Sequence, residues 1–362
     1  MQPSIHQANI ISRLLFGRAF RDQWVLPAGP GRLFSLLLRS SEFPARMPRE
    51  SGPPDRPVFL VSLPRAGSSM LQDLLCSHRD AGYFTQMMHA FWPRFCGAEI
   101  LRRRLGLDIR GERFIGDSVK ISGGTPADPV QVWADWLELD PWSTEYCERH
   151  AEDFSEEDRA RMYLDIRRCL WCFGPGKKRF FSKNPALLPH IDLLPRLFPG
   201  ARIVYLVRDP RPAANSLIKL YRRCEEQRRG MSRRRRRRFP DRPFIPYPRL
   251  PRLTEYLREY GPEDIRTTAG LWRDAAFYVD ERLRAVPEVM TLRYEDFLAD
   301  PGEQVARLLD FCELPAAGAS NPAFRSRLEE VGCIHHSNRG YGRFEEIEAI
   351  CGEAMERLGY RK

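Results

Sequence analysis

The sequence predicts an α/β protein with a central parallel sheet and helices on both faces. Two observations carry that expectation. Four short apolar runs, VFLVS (58–62), RFFS (179–182), ARIVYLV (201–207) and EVMTLR (288–293), are each followed by a polar turn and then a helical pattern. A short run that is apolar without alternation suits a strand covered on both faces, and strand-then-helix order favours parallel pairing. The second observation is where the chemistry-bearing residues fall. Polar clusters at 64–69, at Lys183-Asn184 and at 208–216 all follow strand ends, and in such sheets ligands sit beyond the carboxyl ends of the strands.

Taken in order, residues 1–56 read as an N-terminal helical extension closed by a Pro-rich linker, FPARMPRESGPPDRP (43–57). Ile10, Ile11, Leu14 and Leu15 share one helix face, which either packs on the main domain or makes peripheral contact with a membrane. Arg13, Arg18 and Arg21 interrupt this stretch well short of the ~20 apolar residues a span requires. The ordered zones of a signal peptide are missing too. The main domain runs from 57 to 362. After VFLVS, residues 67–76 turn helical, with Met70, Leu71, Leu74 and Leu75 on one side. RFFS leads through Asn184-Pro185 into a helix carrying Leu187, Leu188, Ile191 and Leu194. ARIVYLV ends at the charged turn RDPRP, and its helix is expected from about 213 to 221. EVMTLR is followed by the helix YEDFLADPGEQVARLLDFC.

Composition narrows the class. An apolar content of 43% is globular, and the formal charge of +10 is local. Residues 222–242 hold eleven arginines against Glu225, Glu226 and Asp241, a net +8, which leaves about +2 for the rest. This basic insertion, at about 222–250, directly follows the helix of the third unit and would sit as a flap beside that unit's site. Nine cysteines at irregular spacing do not form a secreted disulfide framework, so a soluble chain in a reducing, cytoplasmic compartment is expected. Cys169 and Cys172 form a lone CxxC without the second pair a zinc site needs, and read as two thiols on a helix face. No metal is expected.

The loop LPRAGSS stops a buried strand on Pro64, gains tight backbone freedom at Gly67, and offers Ser68 and Ser69 at a helix start. A helix N-terminus attracts phosphate and sulfate through its dipole and its free N–H groups, and Arg65 adds a forked cation. The loop is not a nucleotide-hydrolysing one of the Gly-x-x-x-x-Gly-Lys-Ser/Thr type, because the first Gly and the Lys are missing. In LVRDPRPAANSL, Arg208 ends a strand and Ser216 follows eight residues later on the next helix, a second anion grip set apart from the first.

Together these residues resemble the sulfotransferases that use 3′-phosphoadenosine 5′-phosphosulfate, in their bacterial branch, with a P-loop-NTPase-like three-layer fold. That family carries a Pro-Arg/Lys-x-Gly-Ser/Thr-Ser/Thr loop after its first strand, matched by 64–69, and an Arg and a Ser spaced like Arg208 and Ser216. The segments FFSKNPALLPHIDLLPRLFPGARIVYLVRDPR, LRYEDFLADPGEQVARLLDFCEL and HHSNRGYGRF extend the similarity over roughly 57–360. The resemblance implies that Arg65, Ala66, Gly67, Ser68 and Ser69 hold the 5′-phosphosulfate. Arg208 and Ser216 would hold the 3′-phosphate, with Arg339 in the closing segment also toward the nucleotide. It implies sulfuryl transfer to a hydroxyl or amine and release of 3′,5′-adenosine bisphosphate. Arg65 and Lys183 would offset charge on the leaving oxygen.

The proton acceptor is left open by the residues. Tyrosyl-protein and heparan-type members carry a Glu about twenty residues after the loop Arg, where this chain has Gln86, which cannot take a proton. His89, one helical turn on, is the nearest titratable substitute, and Asp117 and Asp128 are rivals. The acceptor, a small molecule, glycan or lipid, is not specified. Residues 91–95, Trp133, Trp136 and Trp142 offer an apolar wall for it. Two other function classes compete. One is a nucleotide-dependent kinase of similar architecture, which would need a magnesium site. The other is a non-catalytic protein that binds adenosine bisphosphate or polyanions through its arginines. The run at 233–238 lacks the aromatic interleaving of a specific nucleic-acid binder.

Overall fold

The computed structural model describes residues 5–7, 10, 26, 52–106, 108, 110–113, 119–174, 176–231, 233–283, 286, 288–332 and 340–360. In chain order its strands are β1 (Ile5–Gln7), β2 (Val58–Ser62), β3 (Ala81–Tyr83), β4 (Arg110–Glu112), β5 (Lys120–Ser122), β6 (Arg179–Lys183), β7 (Arg202–Val207) and β8 (Val289–Arg293). The helices that bear on the site are α1 (Ser68–Cys76), α2 (Gln86–Ala90), α3 (Cys96–Arg104), α4 (Val130–Trp136), α5 (Glu156–Cys172) and α6 (Pro210–Gly230). With them come α7 (Ile265–Leu283), α8 (Tyr294–Ala299), α9 (Pro301–Phe311), α10 (Pro322–Gly332) and α11 (Phe344–Arg357).

The central sheet is parallel throughout, in the order β3-β6-β2-β7-β8. Every residue of β2 and β6 is buried, as strands covered on both faces should be. Alternation along the strands divides the core in two. Phe59, Val61, Phe180, Ile203, Tyr205 and Val207 face one cluster, shared with α5, α6, α7 and α11. Val58, Leu60, Phe181, Val204 and Leu206 face the other, with α1 and α9. Both faces therefore carry helices, the three-layer architecture expected.

Several elements differ from the sequence reading, each for a local reason. The edge strand β3 was not anticipated, because three residues, Ala81–Tyr83, are too few to show a pattern. The helix expected after Asn184 is a 3-10 turn at Pro185–His190 and a separate short helix at Leu194–Leu197. Pro189 and Pro195 remove the amide hydrogens that would join them. The helix after β8 likewise divides into α8 and α9 at Asp300, whose φ of −140° is the extended backbone favoured before a proline. In contrast, α6 starts earlier and ends later than expected. Pro210 and Pro212 sit in its first turn, where no intrahelical donor is lost, and Asp209 caps it by accepting from Arg211 N–H at 2.8 Å. Its buried stripe continues through Leu217, Leu220, Tyr221 and Cys224, so the first part of the basic insertion is helix, not flap.

A small antiparallel sheet, β1-β4-β5, lies apart from the main one. The tryptophans expected to wall a pocket are core instead: Trp133 and Trp136 pack edge-to-face with centroids 5.1 Å apart, and both are fully buried, with Trp92 and Phe95 beside them. Trp142 packs on Phe244 in a smaller cluster. Of the apolar face expected at Ile10, Ile11, Leu14 and Leu15, Ile10 is exposed, and the other three lie outside the described residues, as do Asp117 and Arg339. No helix among the described residues is long and apolar enough to cross a membrane.

Candidate active site

The loop after β2 is forced into a tight path. Arg65 has φ +72°, a left-handed conformation uncommon for a residue with a side chain, and Gly67 follows at φ +94°. A Cβ at Gly67 would run into the ring of Tyr294, the first residue of α8, so only glycine lets the loop pass. Gly67 then caps α1 through its carbonyl, which accepts from Met70 N–H at 3.1 Å. The first-turn amides have no carbonyl behind them within the helix.

Arg208, at the end of β7, ties its guanidinium to this loop. It donates through Nη1 to the Arg65 carbonyl at 3.2 Å and stacks over Tyr294 at 4.8 Å. Its main chain is fixed by Trp272, whose Nε1 donates to the Arg208 carbonyl at 2.8 Å. The buried Nε of Arg208 has no partner among the described residues. Ser216, on the face of α6 turned toward the sheet, is buried, and its Oγ accepts from Arg65 Nε at 3.0 Å. The two anion grips read as separate in the sequence are thus in direct contact.

On the other side of β2, Lys183 ends β6 with its side chain buried. Its Nζ pairs with Asp128 and donates to Ser69 Oγ at 3.3 Å. Burial lowers the pKa of Lys183, and the Asp128 carboxylate opposes that shift. A further cation, Arg113, reaches the same hydroxyl at 3.1 Å from the end of β4. Nothing in the sequence marks Arg113: it lies 44 residues from Ser69, just past a strand of three residues, in no motif. Asp73 was missed too; one turn along α1 from Ser69, it interacts electrostatically with Arg113, Lys183 and Asp128.

His89 lies on α2, buried, and its Nε2 accepts from the Gln131 amide at 3.4 Å. Burial pushes its pKa down to about 4, with Asp128 opposing. Gln86 turns its amide to the Pro126 carbonyl at 2.9 Å. This region is held by a buried acid: Glu99 accepts from Thr85 Oγ1 at 3.1 Å and from Arg102 at 2.9 and 2.7 Å. His78 uses both ring nitrogens structurally, toward the Pro315 carbonyl and the Asp80 amide. Cys169 and Cys172 are buried thiols on α5, and no metal-binding cluster occurs among the described residues.

The model of the sulfotransferase family matches residues 57–242. No curated protein sequence matches. Among solved structures, sulfotransferase STF9 from Mycobacterium avium is 17% identical, covering 84% of this chain and 77% of its own, with a TM-score of 0.47. Sulfotransferase STF1 from Mycobacterium tuberculosis is 15% identical, covering 98% and 87%, with a TM-score of 0.45. The sulfotransferase domain from the curacin biosynthetic pathway is 13% identical, covering 86% and 99%, at 0.43. Because the family model spans more than half of the chain and includes the loop at 64–69, Lys183, Arg208 and Ser216, this chain belongs to the sulfotransferase family.

Proposed function

We propose that this protein transfers a sulfuryl group from 3′-phosphoadenosine 5′-phosphosulfate to a hydroxyl or amine. The observation that carries the reading is the junction of Arg65, Ser216 and Arg208 at the carboxyl ends of β2 and β7. Two features of that junction fit a nucleotide with two separate phosphate groups. Gly67 gives the loop its left-handed turn into α1, with the Tyr294 ring closing the side a Cβ would take, and Arg208 keeps a buried guanidinium N–H with no hydrogen-bond partner among the described residues, the kind of orphan donor an anion satisfies.

In this reading the loop 65–69 holds the 5′ side, and Arg208 with Ser216 holds the 3′-phosphate. Arg339, in the closing segment outside the described residues, is kept as a further nucleotide-binding residue. When bound, the nucleotide supplies the activated sulfuryl group and a phosphate leaving group. The chain's own work is positioning and charge compensation. Lys183 and Arg113 bring two cations to Ser69, and Arg65 adds a third from the same loop, where negative charge would develop. His89 is the expected proton acceptor, with Asp117 and Asp128 as rivals, and Asp117 lies outside the described residues. His89 has its Nε2 engaged and its basicity lowered by burial, and Asp128 is bound to Lys183. The domain division at 56–57 and a cytoplasmic location belong to the same reading.

Thermal unfolding with three ligands tests it. Saturating 3′,5′-adenosine bisphosphate should raise Tm, since a ligand at a hundred times its Kd stabilises by about 2.7 kcal/mol. ATP with magnesium and an oligonucleotide should not. A rise only with ATP and magnesium would favour the kinase reading, and a rise only with the oligonucleotide would favour a polyanion binder.

A further inference from the structure

Beside the edge strand β3 lies an open cleft of about 530 Å³, a volume that suits a small molecule. Tyr83 and Phe173, with ring centroids 4.9 Å apart, and Cys76 form its inner wall. Its rim is cationic, contributed by Arg102, Arg103 and Lys177, with Asp108 the acid among the lining residues. The three cations are not equivalent. Arg102 is held between Glu99 and Asp108, the latter at 3.6 Å. Arg103 bonds the Cys172 carbonyl at 3.0 Å and lies over the Phe173 ring, and Lys177 bonds the carbonyls of His78 and Arg79. A carbonyl partner leaves a cation's charge in place, so these two still attract an anion. Asp80, which acts on Lys177, is itself paired with Arg79 at 3.6 Å.

One face of α1 runs from the sulfuryl site to the cleft. Ser69, Asp73 and Cys76 stand at i, i+4 and i+7, a single stripe about 10 Å long. Cys76 ends the stripe in the cleft; Ser69 begins it under Lys183 and Arg113. Asp73 lies between, and its carboxylate makes no hydrogen bond or ion pair with the described residues. Burial pushes its pKa up to about 6, against the pull of Arg327 on α10, Arg113 and Lys183, with Asp128 adding to the rise.

We propose that this cleft seats the acceptor, that it selects molecules carrying a negative group for Arg103 and Lys177, and that Asp73 takes the proton of their hydroxyl. The inference rests on the sulfotransferase reading above and adds its substrate class. In the step, the acceptor O–H bond breaks and its proton passes to the Asp73 carboxylate as the O–S bond forms. The bond from sulfur to the 5′-phosphate breaks, and its electron pair stays on the phosphate oxygen.

The probes are para-hydroxybenzoate, para-hydroxyphenylacetate and para-hydroxyphenylpropionate, with para-ethylphenol as the neutral control. Each is titrated calorimetrically into protein saturated with 3′,5′-adenosine bisphosphate. At least one acid should bind ten or more times tighter than the control, about 1.4 kcal/mol, and the Arg103→Ala/Lys177→Ala double variant should lose that preference. No preference in the wild type, or one that survives in the double variant, overturns the cleft assignment. The nucleotide saturation step separates this from the parent reading, because a protein that fails to bind the bisphosphate fails that reading first. Asp73→Asn should bind nucleotide and acid as the wild type does, yet form sulfated product about a hundredfold more slowly. Unchanged turnover overturns the role of Asp73, as does absence of product from wild type holding both ligands.

Discussion

Arg65 and Ser216, 151 residues apart in the chain, meet through a 3.0 Å hydrogen bond from Nε to Oγ. That bond makes one site of two sequence motifs, because Arg65 belongs to the loop after β2 and Ser216 to the helix after β7. The consequence is testable. Ser216→Ala removes a hydroxyl that holds Arg65 and that, in the proposed reading, faces the 3′ side. Affinity for 3′,5′-adenosine bisphosphate should therefore drop by about tenfold, while 5′-AMP is weakened less. Calorimetry with the two nucleotides decides it, and equal losses would show that Ser216 acts only by holding Arg65.

Arg208→Ala should have a larger effect on the same ratio. A hydrogen bond to a charged group is worth ~1.5–3 kcal/mol, or about ten- to a hundredfold in Kd. Because Arg208 also donates to the Arg65 carbonyl, some loss for 5′-AMP is expected as well. The 3′ assignment stands only if the bisphosphate loses more.

Lys183, Asp128 and His89 are separated by kinetics. Lys183→Met should lower kcat by ~10²–10³, the usual cost of removing a preorganised donor. Asp128→Asn and His89→Ala should each keep more than about a tenth of wild-type kcat if Asp73 is the proton acceptor. An inactive Asp128→Asn or His89→Ala that still binds nucleotide would move the role to that residue.

Asp73 has a second, purely thermodynamic signature. Its carboxyl titrates near 6 in the folded chain against 3.8 as the ordinary value, so the folded state prefers the protonated form. The stability this lends is complete below about pH 4, is lost as pH rises through 6, and stays lost above. Asp73→Asn removes the titration. The variant should be more stable than wild type by about 1–3 kcal/mol at pH 7.5 and indistinguishable at pH 4. Urea unfolding at both values tests the sign. A variant that is more stable and slower at once is the expected mark of a strained functional group.

How much of this was legible beforehand follows the range of the interactions. Each strand with an unbroken apolar run was readable, because burial on both faces writes itself into the composition of VFLVS and RIVYLV. So was the place of Gly67, Arg208 and Ser216 at the carboxyl ends of β2 and β7, which backbone geometry and spacing within one unit set. Arg113 and Asp73 were not, because each acquires meaning only when β4 and α1 are brought together by tertiary packing. The tryptophans misled for the opposite reason: an aromatic cluster looks the same in sequence whether it lines a pocket or fills a core.

The arginine run at 233–238 sits farther from chemistry than its sequence position suggests. Helix α6 carries the chain from Ser216 to Gly230, fourteen residues or about 21 Å along its axis. Beyond it, Asp241 folds back to pair with Arg228 at 3.6 Å and Arg236 at 2.9 Å, which keeps the segment at that end of the helix. The screening length is ~10 Å at 0.1 M salt and ~30 Å at 0.01 M. Steering of an anionic nucleotide by these charges should therefore operate at low salt and vanish near physiological ionic strength. Replacing 233–238 with Gly and Ser should leave kcat unchanged, lower kcat/KM for the nucleotide severalfold in 0.01 M salt, and leave it unaltered at 0.15 M. A stopped-flow series across that range checks the prediction. A loss that persists at 0.15 M would mean that the arginines make fixed contacts with the ligand, and no loss at 0.01 M would leave them no role in its capture.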